Sequence, residues 1–138
     1  MGLDMYLYRK TYVQNWDHNT DKYQVTVTKN GQPTSINPER TVYVIEEAAY
    51  WRKANSIHKW FVDNVQSGKD DCGEYYVSLK NMEELLKACV SGCFFGGTEY
   101  DDNYLYALSH TVEILKATIA SYDSDEKGNS SYYYHSSW

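Results

Sequence analysis

Hydrophobic and polar positions first alternate along this chain and then change period. Leu3, Met5 and Leu7 alternate with Asp4, Tyr6 and Tyr8, the period-two pattern of a half-buried strand, which turns Asp4 and the two tyrosines away from the core. A polar connection follows, and alternation returns at Tyr23, Val25 and Val27. Asn30-Gly31 marks a turn, and Thr41 to Val44 is the expected returning strand of a hairpin. From Ile45 to Gln66 the spacing becomes helical: Tyr50, Trp51, Ala54, Ile57, Phe61, Val62 and Val65 fall in one arc about 140° wide on a helical wheel. This predicts one long central helix, stopped by Ser67-Gly68, burying Tyr50, Ala54, Ile57, Phe61 and Val65.

Further on, Tyr75 to Val77 predicts a short strand, and Ser78 is placed to cap a helix with Met82, Leu85, Leu86 and Cys89 as its buried stripe. A third helix is expected from about Asp101, with Leu105, Leu108, Val112, Leu115 and Ile119 facing inward. Residues 121–130 have the composition of a polar linker. Residues 131–138 form an aromatic segment which, if extended, puts Tyr132, Tyr134, Ser136 and Trp138 on one face and Tyr133, His135 and Ser137 on the other. The expectation is a single α+β domain over 1–138: a mainly antiparallel sheet of N-terminal strand, hairpin and C-terminal segment, with the long helix and two others packed on one face.

Composition narrows the function. A net charge of −6 among 138 residues disfavours binding to long DNA or RNA, and fits docking onto a basic partner surface. Three cysteines without ligand-like spacing argue for a reduced, cytoplasmic protein with no metal and no cofactor, and no stretch approaches membrane-spanning length. Gly96-Gly97-Thr98 ahead of a helix is a weak candidate anion cradle, because Glu99, Asp101 and Asp102 already bring negative charge there. Fifteen tyrosines suit either a sheet surface or the lining of a binding site.

Within the helical arc, Glu47 and His58 are polar intruders that need partners across the fold. Trp60 falls on the solvated side, with Arg52 and Lys59. The candidate ligand-binding set is Trp51, Arg52, Asn55, His58, Lys59 and Trp60 on this segment, joined by Asp4, His135 and Trp138. Trp51 or Trp60 would stack on a base, Arg52 and Lys59 would balance phosphate, and Asn55 and His58 would bond polar edges.

The runs MGLDMYLYRK, YWRKANSIHKWFVDNVQ, DDCGEYYVS, FFGGTEYDDNY and YYYHSSW resemble a family of small, mostly uncharacterised proteins encoded by bacteriophages, prophages and gut-bacterial genomes. The resemblance implies an accessory, anti-defence role in the host cytoplasm. Three expectations follow: a protein that sequesters a small anionic nucleotide-like ligand without turnover, a protein inhibitor of a host defence effector such as a CRISPR nuclease that uses an acidic, tyrosine-rich surface, and a small hydrolase or transferase with His58 or His135 as general base. A homo-oligomer joined through Tyr132 to Trp138 or the Trp60 surface is expected with any of them.

Overall fold

The computed structural model describes residues 2–18, 20, 22–91, 102–124 and 130–138. Its main sheet is antiparallel, with four strands: β1 (Asp4–Tyr12), β4 (Tyr43–Arg52), β5 (Glu74–Val77) and β6 (Ser130–Ser137), in the order β4-β1-β6-β5. A separate two-stranded ribbon, β2 (Thr28–Lys29) and β3 (Gln32–Pro33), turns at Asn30-Gly31, where both residues have positive φ (53° and 76°). Three helices, α1 (Asn55–Asn64), α2 (Leu79–Ser91) and α3 (Asp102–Ser124), complete an α+β fold.

The long central helix is not formed as expected. Residues 43–52 are a strand, and α1 keeps only ten residues of the helical stretch, while the longest helix is α3 with 23. Glu46, Glu47, Ala48 and Ala49 are tolerable helix formers, but β4 runs its full length against β1, from Tyr12↔Tyr43 to Asp4↔Arg52, and this pairing outweighs local propensity. Ala48 is the extra residue of a bulge, since Leu7 pairs with Ala49 and Tyr8 with Glu47. Lys53, in the left-handed region at φ 55°, separates strand from helix.

Redrawing this segment moves side chains. Ala54, Ile57 and Phe61 are buried as predicted, whereas Val65 is half-buried and Tyr50 is exposed on the opposite side of the sheet. Glu47 is exposed on a strand and no longer intrudes on an apolar arc. Trp60 is half-buried, edge-on to Phe61 at 5.4 Å, not on a solvated face.

Other differences are smaller. Tyr23 to Val27 form no strand, and the Asn30-Gly31 ribbon stands apart from the main sheet, because the returning chain pairs with β1. The start of the expected linker belongs to α3, which runs to Ser124; residues 125–129, Cys93, Gly96-Gly97-Thr98, Glu99 and Asp101 lie outside the described residues. The aromatic C-terminal segment is the inner strand β6, paired with β1 on one side and β5 on the other, so its own chain already packs it.

The core lies between one face of the sheet and the helices. Met5, Leu7, Ala49, Trp51, Tyr132, Tyr134 and Val77 contribute from the strands, and Ile57, Phe61, Met82, Leu85, Cys89 and Leu115 from the helices. Trp51 Nε1 donates to Thr111 Oγ1 of α3 at 2.8 Å, which satisfies the indole. The expected cap of α2 is present, with Asn81 N–H donating to Ser78 Oγ at 3.0 Å and Ser78 N–H donating to Asn81 Oδ1 at 3.0 Å.

Candidate functional site

The alternation that buries Met5 and Leu7 also builds the opposite face, and there tyrosine dominates. Pairing places Asp4, Tyr6, Tyr8, Lys10 and Tyr12 of β1 beside Arg52, Tyr50, Glu47, Ile45 and Tyr43 of β4. On the other flank stand His135 and Tyr133 of β6, followed by Glu74 and Tyr76 of β5. The helices pack on the inner face, so among the described residues no helix covers these rings.

The rings touch in three groups, the largest centred on Tyr6. Tyr6 lies parallel to Tyr8, with centroids 5.6 Å apart and planes within 4°, and also meets Tyr50 at 5.3 Å and His135 at 6.3 Å. Tyr76 stands edge-on to Tyr133 at 5.9 Å, and Tyr12 edge-on to Tyr43 at 5.4 Å. Lys10 Nζ sits 4.5 Å over the Tyr133 ring and is ion-paired with Glu74. Tyr50 donates to Asp4 Oδ1 at 2.6 Å; that bond first, then burial and the Asp4 charge, raises its hydroxyl above the ordinary tyrosine value. Tyr8 is raised as well, by burial and then by neighbouring Tyr6, Glu47 and Glu74. Tyr8 and Tyr50 thus stay neutral phenols beside carboxylates.

A second cluster lies inside. His58 is buried with both ring nitrogens engaged: Nδ1 meets Tyr134 Oη at 2.7 Å, and Nε2 meets Asp70 Oδ1 at 2.9 Å. An ionised Asp70 only accepts, so Nε2 carries the hydrogen and Nδ1 accepts from Tyr134 when the imidazole is neutral. Trp138 Nε1 donates to the same Asp70 oxygen at 3.1 Å, fastening the chain's last residue. Phe61 stacks flat on Tyr134 at 3.9 Å, and burial, then the Asp70 charge, pushes the Tyr134 hydroxyl well above the tyrosine range. Ser67 and Gly68, both with positive φ, make the turn that returns Asp70 to His58, and the Gln66 side-chain amide closes it by donating to the Lys69 carbonyl at 2.5 Å. This cluster ties α1, its following loop and β6 together.

No family model matches the chain, and neither the curated proteins nor the solved structures give a match.

The nine predicted site residues divide among four places. Asp4, Arg52 and His135 share one end of the outer face. Trp51 and His58 are in the core, where the Trp51 ring offers no surface for stacking. Asn55 and Lys59 are exposed on α1, with Lys59 paired to Asp63 at 2.9 Å, and Trp60 packs against Phe61. Trp138 closes over Asp70. A cleft of about 420 Å³ opens between β4 and α3, lined by Arg9, Glu46, Glu47, Ala48 and His110 among others, and none of the nine lines it.

Sequence reasoning missed Tyr6, Tyr8, Tyr50, Tyr76 and Tyr133. The signal was present for three of them, since the β1 alternation already put Tyr6 and Tyr8 beside Asp4 and the C-terminal alternation put Tyr133 beside His135. Among the described residues no group of three His, Cys, Asp or Glu is placed to hold a metal, and burial pushes the Cys89 thiol up to about 12, which keeps it protonated. No helix of the described residues is long and apolar enough to cross a membrane.

Proposed function

We propose that this chain is a non-catalytic binding protein whose working surface is the tyrosine face of the sheet and whose partner is a basic protein surface. One observation carries the reading: the rings of Tyr6, Tyr8, Tyr50 and His135 form a connected aromatic sheet surface without a helix over it among the described residues. Tyrosine gives rigid contact area at small entropic cost, and its π face attracts guanidinium and ammonium groups by about 0.5–2 kcal/mol each. Asp4, Glu47 and Glu74 border the rings and outnumber the cations Arg52 and Lys10, the latter tied to Glu74, so the face favours incoming positive charge, as does the net charge of −6. The resemblance of the sequence to phage and prophage proteins directs the choice of partner to basic, nucleic-acid-binding defence proteins of a bacterial host, which the chain would inhibit by occupying their basic face.

Photo-crosslinking tests this reading. A photoreactive phenylalanine at position 50 should capture basic proteins from host lysate, while the same group at Lys116, on the helix layer, should not. Equal capture from both positions would refute it.

A second reading is supported by the parallel Tyr6–Tyr8 stack with His135 and Arg52 at the same end: a planar base extending the stack, its phosphate on Arg52. In this reading the chain sequesters a nucleotide-like signal without turnover. Calorimetry with cyclic dinucleotides and ADP-ribose derivatives tests it: binding lost in Arg52→Ala favours it, and heats indistinguishable from dilution exclude it.

A further inference from the structure

We propose that β4 is the self-association edge of this protein and that a second copy pairs with it, antiparallel, about a two-fold axis at Val44. β4 is an outer strand of the sheet, and its two halves differ. The second half is protected in the way edges usually are: the bulge at Ala48 interrupts the ladder, Glu46 and Glu47 bring charge, and His110 of α3 lies 3.4 Å from the Tyr50 carbonyl. Among the described residues the first half has none of this. Val42, Tyr43, Val44 and Ile45 are all exposed, Tyr43 and Ile45 by more than half, although they alternate between the two faces. A continuous apolar run of this kind belongs to a strand covered on both faces, and here, among the described residues, a strand with one neighbour leaves Val42 and Val44 more than a third exposed on one face and Tyr43 and Ile45 more than half exposed on the other. The opposite edge, β5, has only four residues and is a poor template.

The occupant follows from the order of charges along the strand. The sequence from Arg40 to Glu47, RTVYVIEE, is positive at its start, apolar in the middle and negative at its end. Antiparallel pairing of such a strand with itself is charge-complementary. Centred on Val44, it sets Val44 against Val44 of the second copy and Tyr43 against its Ile45. Glu46 and Glu47 then face Val42 and Thr41, not each other. Arg40 closes the 3-10 turn (Pro38–Arg40) that precedes the strand, so the second copy's Arg40 arrives just beyond the paired residues, near the Glu46 and Glu47 end of β4, where Glu113 in the cleft between β4 and α3 adds a further carboxylate. A two-fold axis perpendicular to the sheet keeps both tyrosine faces on one side and both helix layers on the other, so two four-stranded sheets join into one of eight strands.

The test is the mass of the intact chain by sedimentation equilibrium, with two kinds of variant. The wild type should be a dimer in the micromolar range. Val44→Lys should be a monomer with an unchanged circular dichroism spectrum, and Arg40→Glu should weaken association at least tenfold. Val44→Cys supplies the register test: mild oxidation should link it into a covalent dimer across the axis, while a cysteine at exposed Thr28 should not link. A wild-type monomer at all concentrations, or a dimer that Val44→Lys leaves intact, overturns the proposal; so does equal crosslinking of the Val44 and Thr28 variants.

Discussion

The inner and outer faces of β1 and β6 use the same residue type for opposite purposes. Tyr132 and Tyr134 on the inner face are buried, and Tyr134 holds a hydroxyl bond to His58 beneath the Phe61 ring. Tyr133, one residue between them, lies under Lys10 on the outer face, near Tyr76. What separates them is parity along the strand. Tyrosine content alone therefore says nothing about role; the pleat divides these rings into a set buried in the core and a set on the outer face, where the proposed partner would bind.

Emptying the inner face should have the largest effect. Phe61→Ala removes the ring that stacks on Tyr134 and should cost about 3–5 kcal/mol in urea unfolding. Tyr134→Phe keeps the packing but leaves His58 Nδ1 without its donor, so a loss of about 1–3 kcal/mol is expected. The same variant should flatten the alkaline limb of stability. The folded Tyr134 hydroxyl titrates above its unfolded value of 10.0, so its contribution is complete below pH 10 and is lost as pH rises beyond it; the Phe variant has no such group. Denaturation midpoints from pH 8 to 11 measure the slope.

On the outer face, Tyr76→Ser and Tyr133→Ser should each change stability by less than about 1 kcal/mol, since each loses only cross-strand contacts. A loss as large as that of Phe61→Ala would erase the distinction between the faces. The smallest effect belongs to Asp71, whose carboxyl is held below its ordinary value of 3.8 by the Tyr75 hydroxyl and then the Gly73 N–H. Its contribution is present above that value and is lost as pH falls through the lower folded one, so Tyr75→Phe should move the acid-unfolding midpoint slightly upward.

Much of this fold could be read in the sequence. β1, β5, α2 with its Ser78 cap, the inward stripe of α3 from Leu108 to Ile119 and the two faces of β6 all followed from period and capping. The failure at Ile45 to Gln66 has a physical cause: Tyr50, Trp51, Ala54, Ile57, Phe61 and Val65 satisfy a helical wheel, yet the first two belong to a strand whose conformation is imposed by β1, distant in sequence. No glycine or proline marks the break; Lys53 takes the left-handed turn itself. That error put Tyr50 in the core and hid the outer face, which becomes visible only when β4 is laid beside β1. For His58, the need for partners was legible, but Tyr134 and Asp70 lie 76 and 12 residues away in the chain, and only the fold brings them together.

The most direct test of the tyrosine face is a titration of the protein, ¹³C-labelled at tyrosine, with an arginine-rich peptide, followed by NMR of the ring carbons. Saturable shifts are expected at Tyr6, Tyr8, Tyr50, Tyr76 and Tyr133, with Tyr132 and Tyr134 unmoved. Shifts confined to Tyr106 on the helix layer, or none at millimolar peptide, would contradict it.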